Sequence, residues 1–188
     1  MANNLTPNVG EDAYNSFSEF AGLSYRCIQH LINNNEAIWK LLKYSDSDAW
    51  SKSDLTIEQK GELIYSGQED ASQYHVFMDS EQPDVMTEET TVLRIMPYYA
   101  VGVNRTTGYI EVSMEVYSHY KINHLSNYKT RVDSIAGELL GEFNGVVLKD
   151  SLGLMAFSKM KDESSRLFEV GQIPFGGKQL IFSIFSAN

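Results

Sequence analysis

The fold is decided by residues 91–120, TVLRIMPYYAVGVNRTTGYIEVSMEVYSHY. Residues 91–99 predict a strand, and Pro97 predicts an edge or a bulge near its end because proline cannot donate to a β-ladder. A turn follows at residues 104–108, and residues 109–120 then alternate between apolar and polar side chains. Such alternation is typical of a half-buried antiparallel strand, so the stretch predicts a long β-hairpin. One face of the second strand carries Ile110, Val112, Met114 and Val116, and the other carries Glu111, Ser113, Glu115 and His119.

Helical periodicity lies on both sides of the hairpin. Apolar residues recur every three or four positions over residues 14–32, and the run Asn33-Asn34-Asn35 predicts a helix end, since asparagine competes for backbone hydrogen bonds. Residues 36–44 predict a second, short helix. A long helix ended by Gly145 is predicted from the stripe Leu125, Tyr128, Val132, Ile135, Ala136, Leu139, Leu140 and Phe143.

The remaining segments predict loops and short elements. Residues 45–54 form a polar loop, and the capping-box spacing of Thr56 and Gln59 predicts a short helix that stops near Gly67. Residues 66–90 predict a long loop with an edge strand at 74–78, and a loop of this length is usually functional. Further strands are predicted at 152–160, 166–170 and 178–185.

This order of elements indicates an α+β fold, in which a mainly antiparallel sheet has helices packed on one face. An N-terminal helical segment follows an extended arm at residues 1–13, which are polar and contain Pro7 and Gly10. Residues 14–188 are expected to form a single α+β domain, as the length of 188 residues favours.

Composition narrows the class of protein. A chain with 43% hydrophobic and 21% charged residues is not intrinsically disordered. The formal net charge of −10 argues against a protein that grips nucleic-acid phosphates, because that binding needs clustered lysine and arginine. No signal peptide is visible and no apolar run is long enough to cross a membrane, so a cytoplasmic chain is expected.

Motifs that carry chemistry are weak throughout. Asp46-Ser47-Asp48 opens like a calcium loop, but the later ligand positions do not match, which favours a solvated loop. Residues 171–178 resemble a phosphate loop, but the spacing is wrong and a strand follows, which favours a glycine hairpin turn. The single Cys27 predicts an inert buried thiol. No metal site or catalytic cluster is predicted from His30, His75, His119 and His124, or from the pairs Glu11–Asp12, Glu69–Asp70 and Glu88–Glu89.

Tyrosine is abundant, with 11 residues, and Tyr98 and Tyr99 are adjacent near the end of the first hairpin strand. Tyrosine is favoured at protein interfaces because it combines a broad apolar ring with a polar tip. Ordinary packing in the core and at its rim explains the enrichment equally well, so both interpretations stay open.

Two stretches resemble a known family. One is EAIWKLLKYSDSDAWSKSDLTIEQKGELIY (36–65), a helix, an acidic loop and a capped helix. The other covers residues 91–145, from the hairpin through YKTRVDSIAGELLGEFNG. Together they are similar to neck proteins of tailed bacteriophages, in particular the tail-terminator and head–tail joining group. The likeness lies in the order of the elements rather than in an invariant motif.

The resemblance implies a structural virion protein without enzymatic activity. It would be a subunit of a homo-oligomeric ring, commonly hexameric, that closes the tail tube and joins it to the head connector. The resemblance implies no cofactor and no metal, and DNA would pass through the ring without specific binding. The protein would lie in the virion neck after assembly in the cytoplasm of a host bacterium.

Two alternatives remain beside this reading. One is a connector adaptor or stopper of the same neck, and the other is a small binding module or an enzyme with a site assembled by the fold. A ring needs two different contact patches on each subunit. The predicted contacts are the arm at 1–13, the loop at 66–90, and the hairpin tip with Tyr98, Tyr99, Asn104 and Arg105.

Overall fold

A computed structural model describes residues 9–67, 70–78, 88–102, 107–148, 153–157, 167–170 and 174–187. The helices are α1 (Val9–Asn34), α2 (Glu36–Lys43), α3 (Ile57–Gly61) and α4 (Arg131–Phe143), with single 3₁₀ turns at Ala49–Ser51 and Ala71–Gln73. The strands are β1 (Val76–Phe77), β2 (Thr91–Gly102), β3 (Thr107–His119), β4 (Val146–Val147), β5 (Leu154–Phe157), β6 (Leu167–Val170) and β7 (Phe175–Ala187).

The described strands form one sheet in the order β1-β2-β3-β7-β5-β4. Only β1 pairs in parallel, with β2, and every other described pair of strands is antiparallel. β6 and β5 both pair with β7, β6 along residues 177–180 and β5 along residues 182–184. The predicted β-hairpin is confirmed as β2 and β3, and it forms the centre of the sheet with β7.

The helices pack on one face of this sheet, which confirms the α+β fold class. We call it the helix face and define it by Leu93, Ile95, Val112, Met114, Val116 and Phe182, all buried in one apolar core with residues of α1, α2 and α4. Alternation along β3 places these residues on one side, as the sequence predicts. The burial of a long apolar stripe against helices supplies the main stabilisation of such a layer.

Asn35 ends α1 and begins α2, as the asparagine run predicts. Its side-chain oxygen accepts a hydrogen bond from the Ile38 amide at 2.8 Å, which is the usual action of an N-cap. Its amide nitrogen donates to Glu138 and Glu142 of α4, at 2.9 and 3.0 Å. One side chain therefore caps a helix and ties the junction to α4.

The N-terminal arm differs from the prediction at its inner boundary. The helix α1 begins at Val9, so residues 9–13 are helical, and residues 1–8 lie outside the described residues.

The long helix α4 begins at Arg131 and not at Leu125, so this part of the prediction is wrong. Thr130 is the N-cap and accepts a hydrogen bond from the Asp133 amide at 3.0 Å. Upstream, Tyr128 has a φ of 62°, in the left-handed region that no helix residue adopts. Leu125 is buried all the same, which explains why its spacing continued the helical stripe.

Arg131 fixes the loop that follows α2 and the loop that precedes α4. Its guanidinium donates to the carbonyl oxygens of Leu41 and Tyr44 at 2.7 Å, and to those of Ser45, Asp46 and Ile122 at 2.9 to 3.0 Å. The carbonyls at the end of α2 lack helical partners and carry partial negative charge, so a buried cation suits them. Arg131 thus joins α2, the loop after it, and the start of α4.

The capping box of α3 is confirmed, but its predicted end is wrong. Thr56 and Gln59 exchange both hydrogen bonds of the capping box, and α3 ends at Gly61 rather than near Gly67. Residues 63–65 instead extend alongside β1, where the Leu63 carbonyl accepts from His75 and the Tyr65 amide donates to Val76. The edge strand predicted at 74–78 is confirmed as the shorter β1.

The glycine-rich run is mostly strand rather than turn. β7 begins at Phe175, so Gly176, Gly177 and Lys178 pair with β3 and do not belong to the predicted turn, and residues 171–173 lie outside the described residues. A Cβ on Gly177 would collide with the Val116 carbonyl oxygen. Glycine is therefore required there by close approach of the neighbouring strand, not by a turn.

Candidate functional site

A β-bulge interrupts the distal half of β2. Pairing with β3 is regular from Thr91 to Pro97, which lies opposite Val112, and resumes with Tyr99 opposite Glu111. Tyr98 is thus the extra residue, beside a proline that cannot donate to the ladder. The bulge that Pro97 predicts is confirmed.

Both tyrosines at the bulge point into solvent. Tyr98 is 56% exposed and Tyr99 is 49% exposed, and Ala100 beside them is also exposed. Consecutive residues on a regular strand face opposite sides, so a sheet with one covered face normally buries one of two neighbours. A pair of exposed tyrosines, each with a large apolar ring, makes this segment a candidate contact surface.

Most of the other predicted contact residues lie outside the described residues, and part of the predicted contact loop is described. Asn104 and Arg105 lie outside, and so do residues 68–69 and 79–87 of the predicted contact loop. The described part of that loop is partly packed, since Phe77 and Val92 are buried against Tyr65 and Tyr74. The structure therefore brings Tyr98 and Tyr99 together on the surface and leaves Asn104 and Arg105 as predictions.

A second exposed apolar pair lies at the opposite end of the sheet. Val147 of β4 stands directly across from Leu154 of β5, and they are 60% and 50% exposed. The pair was not predicted from the sequence because β4 has only two residues. A doublet of β-branched valines just after Gly145 was the signal that could have shown it.

The face of the sheet opposite the helices is polar and buried. We call it the polar face and define it by Arg94, Glu111, Ser113, Glu115, Gln179 and Ser183, which strand register places on the side away from the helix face. The prediction of a half-buried strand is wrong for β3, since Glu111 and Glu115 on this side are only 2% and 8% exposed. Period-two alternation reports which side a residue takes, and does not report whether that side is covered.

Glu115 is the centre of a hydrogen-bonded network on the polar face. Its Oε2 accepts from Arg94 Nη1 at 3.1 Å and from the Tyr117 hydroxyl at 2.8 Å. Its Oε1 accepts from Gln179 Nε2 at 3.0 Å and from Ser113 Oγ at 3.4 Å. Buried polar groups persist when they are satisfied in this way.

The network joins three strands, and its tyrosine stays protonated near neutral pH. Arg94, Glu115 and Gln179 occupy one row across β2, β3 and β7, so their contacts fix the register of the three strands. Burial raises the pKa of Tyr117 to about 12, and the hydrogen bond to the Glu115 carboxylate adds to the rise. Tyr117 therefore stays protonated as a donor near neutral pH, which is a structural role.

The remaining candidates from the sequence have ordinary environments. Cys27 is a free, buried thiol, and burial raises its pKa to about 12, which confirms the inert cysteine. Asp46 and Asp48 face Lys52 at 3.2 and 3.4 Å, in an exposed loop. The described residues contain no group of three His, Cys, Asp or Glu side chains placed to bind a metal. Among the helices of the described part, none has the length and apolar character needed to cross a bilayer.

Comparison with known proteins places the chain in a family. The YomW family model matches residues 35–184, which take in α2, the hairpin, α4 and most of β7. This chain belongs to the YomW family. The family name is of the kind given to bacteriophage genes, and it supports a phage-associated protein without specifying a place in the particle. No curated protein matches the chain.

The YomW match covers both exposed pairs and the polar face. Tyr98 and Tyr99, Val147 and Leu154, and the network around Glu115 all lie within residues 35–184. The whole of α1 precedes the match. The candidate surfaces are therefore part of the segment that defines the family.

Proposed function

We propose that this YomW-family chain is a structural virion protein, the subunit of a ring that terminates the tail tube in the neck of a tailed phage. The family match supports phage association, and the α+β fold supports the order of elements on which the resemblance to neck proteins rests. The observation that carries the proposal is the exposed pair Tyr98 and Tyr99 on a bulge in the longest hairpin.

The tyrosine pair supplies what a subunit contact needs. Each tyrosine side chain offers a large apolar area at low cost in side-chain entropy, and its hydroxyl group can be hydrated before assembly. A strand of a firmly paired hairpin holds the rings in place, so little order remains to be gained on binding. These properties favour a protein–protein contact over a small-molecule site.

The rest of the proposal follows from the neck role. The chain acts without catalysis or cofactor, its partners are further copies, the tail tube and the head connector, and it belongs to the virion after assembly in the bacterial cytoplasm. DNA passes through the proposed ring without specific binding. The net charge of −10 supports this because like charge repels the phosphate backbone.

The first test is the mass of the full chain by light scattering across a concentration series, with negative-stain images of the same fractions. We expect a discrete ring-sized species that grows with concentration. A chain that stays monomeric up to its solubility limit, alone and with isolated tail tubes, would overturn the proposal. Binding to head connectors but not to tail tubes would instead indicate an adaptor or stopper.

A pair of variants tests the tyrosines in the same assay. We expect Tyr98→Ser combined with Tyr99→Ser to weaken ring formation at least tenfold in concentration while leaving the monomer folded. The control is Tyr25→Ser on α1, because Tyr25 is exposed to a similar extent and lies on a helix. Equal assembly by all three chains would remove the tyrosine pair from the contact.

A further inference from the structure

We propose that neighbouring subunits join edge to edge through their sheets. The distal half of β2 in one copy pairs with β4 of the next, and the Tyr99 ring covers Val147 and Leu154. This inference rests on the proposed ring and names its two contact patches. Four observations carry it: open edges, a shared face, a shared height along the strands, and compatible strand directions.

Among the residues that the structure describes, both ends of the sheet are open where the contact is placed. β1 pairs with β2 only at Leu93 and Arg94, so among the described residues no strand covers β2 from residue 95 to residue 102. At the other end, β4 is the last described strand and pairs only with β5. Unpaired strand edges present backbone donors and acceptors that another chain can complete.

The exposed apolar residues at the two edges lie on the same face. Tyr99 is opposite Glu111, which belongs to the polar face. Val147 is opposite Leu154, and the next residue, Met155, is opposite Ile184 of the apolar core, so Val147 and Leu154 also lie on the side of the polar face. When two edges meet without a flip of the sheet, residues on one face come together.

The two patches also lie at the same height along the strands. Cross-strand register forms one continuous row across the sheet, Ala100, Ile110, Ile184, Met155 and Val146. A closed ring has rotation without rise, so its two heterologous patches must be level along the ring axis. When the strands run parallel to that axis, Ala100 of one subunit lies directly opposite Val146 of the next. The aromatic ring of Tyr99 then contacts Val147 of that next subunit as its diagonal cross-strand neighbour.

Strand directions allow the joint. Because β2, β3, β7, β5 and β4 alternate in direction, β2 and β4 run the same way and would pair in parallel. The short β1 already pairs with β2 in parallel nearer its start. A second copy is the occupant because one chain carries both halves of the contact, matched in face, height and direction.

Disulfide trapping tests the joint in the full chain. Adjacent strands place paired Cα atoms about 5 Å apart, within the range of a disulfide. In Ala100→Cys combined with Val146→Cys, mild oxidation should give a ladder of covalent oligomers up to the ring size on non-reducing gels. Mixing the two single variants should give one heterodimer and no homodimers. The native Cys27 is buried and does not compete.

The controls separate this inference from the proposed function. Ala100→Cys with Ile57→Cys, exposed on α3, should give no ladder. A charge on the edge, Val147→Lys, should abolish rings, while Ile57→Lys should not. Two outcomes would overturn the edge-to-edge joint and leave the proposed ring intact. One is rings in the images with no covalent ladder from the Ala100→Cys, Val146→Cys chain, and the other is disulfide-linked homodimers of Ala100→Cys alone. Absence of rings from every chain, unmodified included, would overturn the proposed function itself.

Discussion

The helix face and the polar face of the sheet are both largely buried and opposite in chemistry. Met114 and Val116 on one side are fully buried among helix residues, while Glu115, between them in sequence, is buried on the other side against Arg94 and Gln179. Apolar burial tolerates small shifts, since any close contact is favourable, whereas a buried carboxylate needs donors at defined positions. The difference teaches that the helix face supplies most of the stability and the polar face supplies strand register.

The largest effect should come from a cavity on the helix face. Phe182 is fully buried, with its ring 5.9 Å from Phe143 and 5.6 Å from Phe157. We expect Phe182→Ala to lower the free energy of unfolding by about 3–5 kcal/mol, measured by urea titration. The exposed Tyr99→Ala serves as control and should cost well under half of that. Equal losses would contradict the assignment of the core to this face.

Removing the central carboxylate should cost somewhat less. Glu115→Leu deprives Arg94, Tyr117 and Gln179 of an acceptor and should lower the free energy of unfolding by about 2–4 kcal/mol. Adding Arg94→Met should recover part of this loss, because a buried ion pair can be replaced by apolar groups at little net cost. Glu58→Leu on the exposed surface of α3 is the control. Strict additivity in the double-mutant cycle would show that the network does not act as a unit.

A substitution at Gly177 tests how closely β7 and β3 approach each other. Gly177→Ala would force a Cβ against the Val116 carbonyl oxygen and the Tyr117 ring, and we expect a loss of about 1–3 kcal/mol. Gly137→Ala is the matched control, since nothing lies near its Cβ position on α4, and it should stabilise the protein by about 0.5–1 kcal/mol. The opposite signs of the two effects are the expected result, and two losses of equal size would argue against the close approach.

The smallest expected effect is a loss of stability as the pH falls. Burial lowers the pKa of His75 below 6.5, with the nearby charge of Lys43 adding to the fall and the hydrogen bond to the Thr91 carbonyl opposing it. The unfolded chain therefore binds a proton more readily, so stability should fall as the pH drops below 6.5 towards the lower pKa of the folded protein. His75→Gln should flatten that part of the profile in urea titrations across this pH range, and an unchanged slope would assign it to other groups.

Local patterns predicted much of the fold. The alternation along β3, the helix end at the run of asparagines 33–35, the capping box at Thr56 and the bulge at Pro97 each depend on a few neighbouring residues, and each is confirmed. The errors arose where distant contacts decide. Tyr128 takes a left-handed backbone in a loop tied to Arg131, although its spacing continues a helical stripe.

The candidate site was predicted only in part, for the same reason. Tyr98 and Tyr99 were found because aromatic enrichment is visible in the sequence. Val147 and Leu154 were missed because they gain meaning only when cross-strand pairing brings them together at a sheet end. The burial of Glu111 and Glu115 depends on what covers the polar face, which no period along β3 can report.

Pro97 has a consequence for solubility. The Leu93 amide faces the outer edge of β2, where it donates to the His75 carbonyl, and the two-residue repeat turns the nitrogen of Pro97 towards that same edge. An edge with a full row of amides would accept strand after strand and seed fibres. Here the backbone N–H donor is missing at Pro97, just before the exposed tyrosines. An added strand would lose one hydrogen bond there, so non-specific strand addition is disfavoured. A concentrated solution of the chain should therefore resist fibril formation.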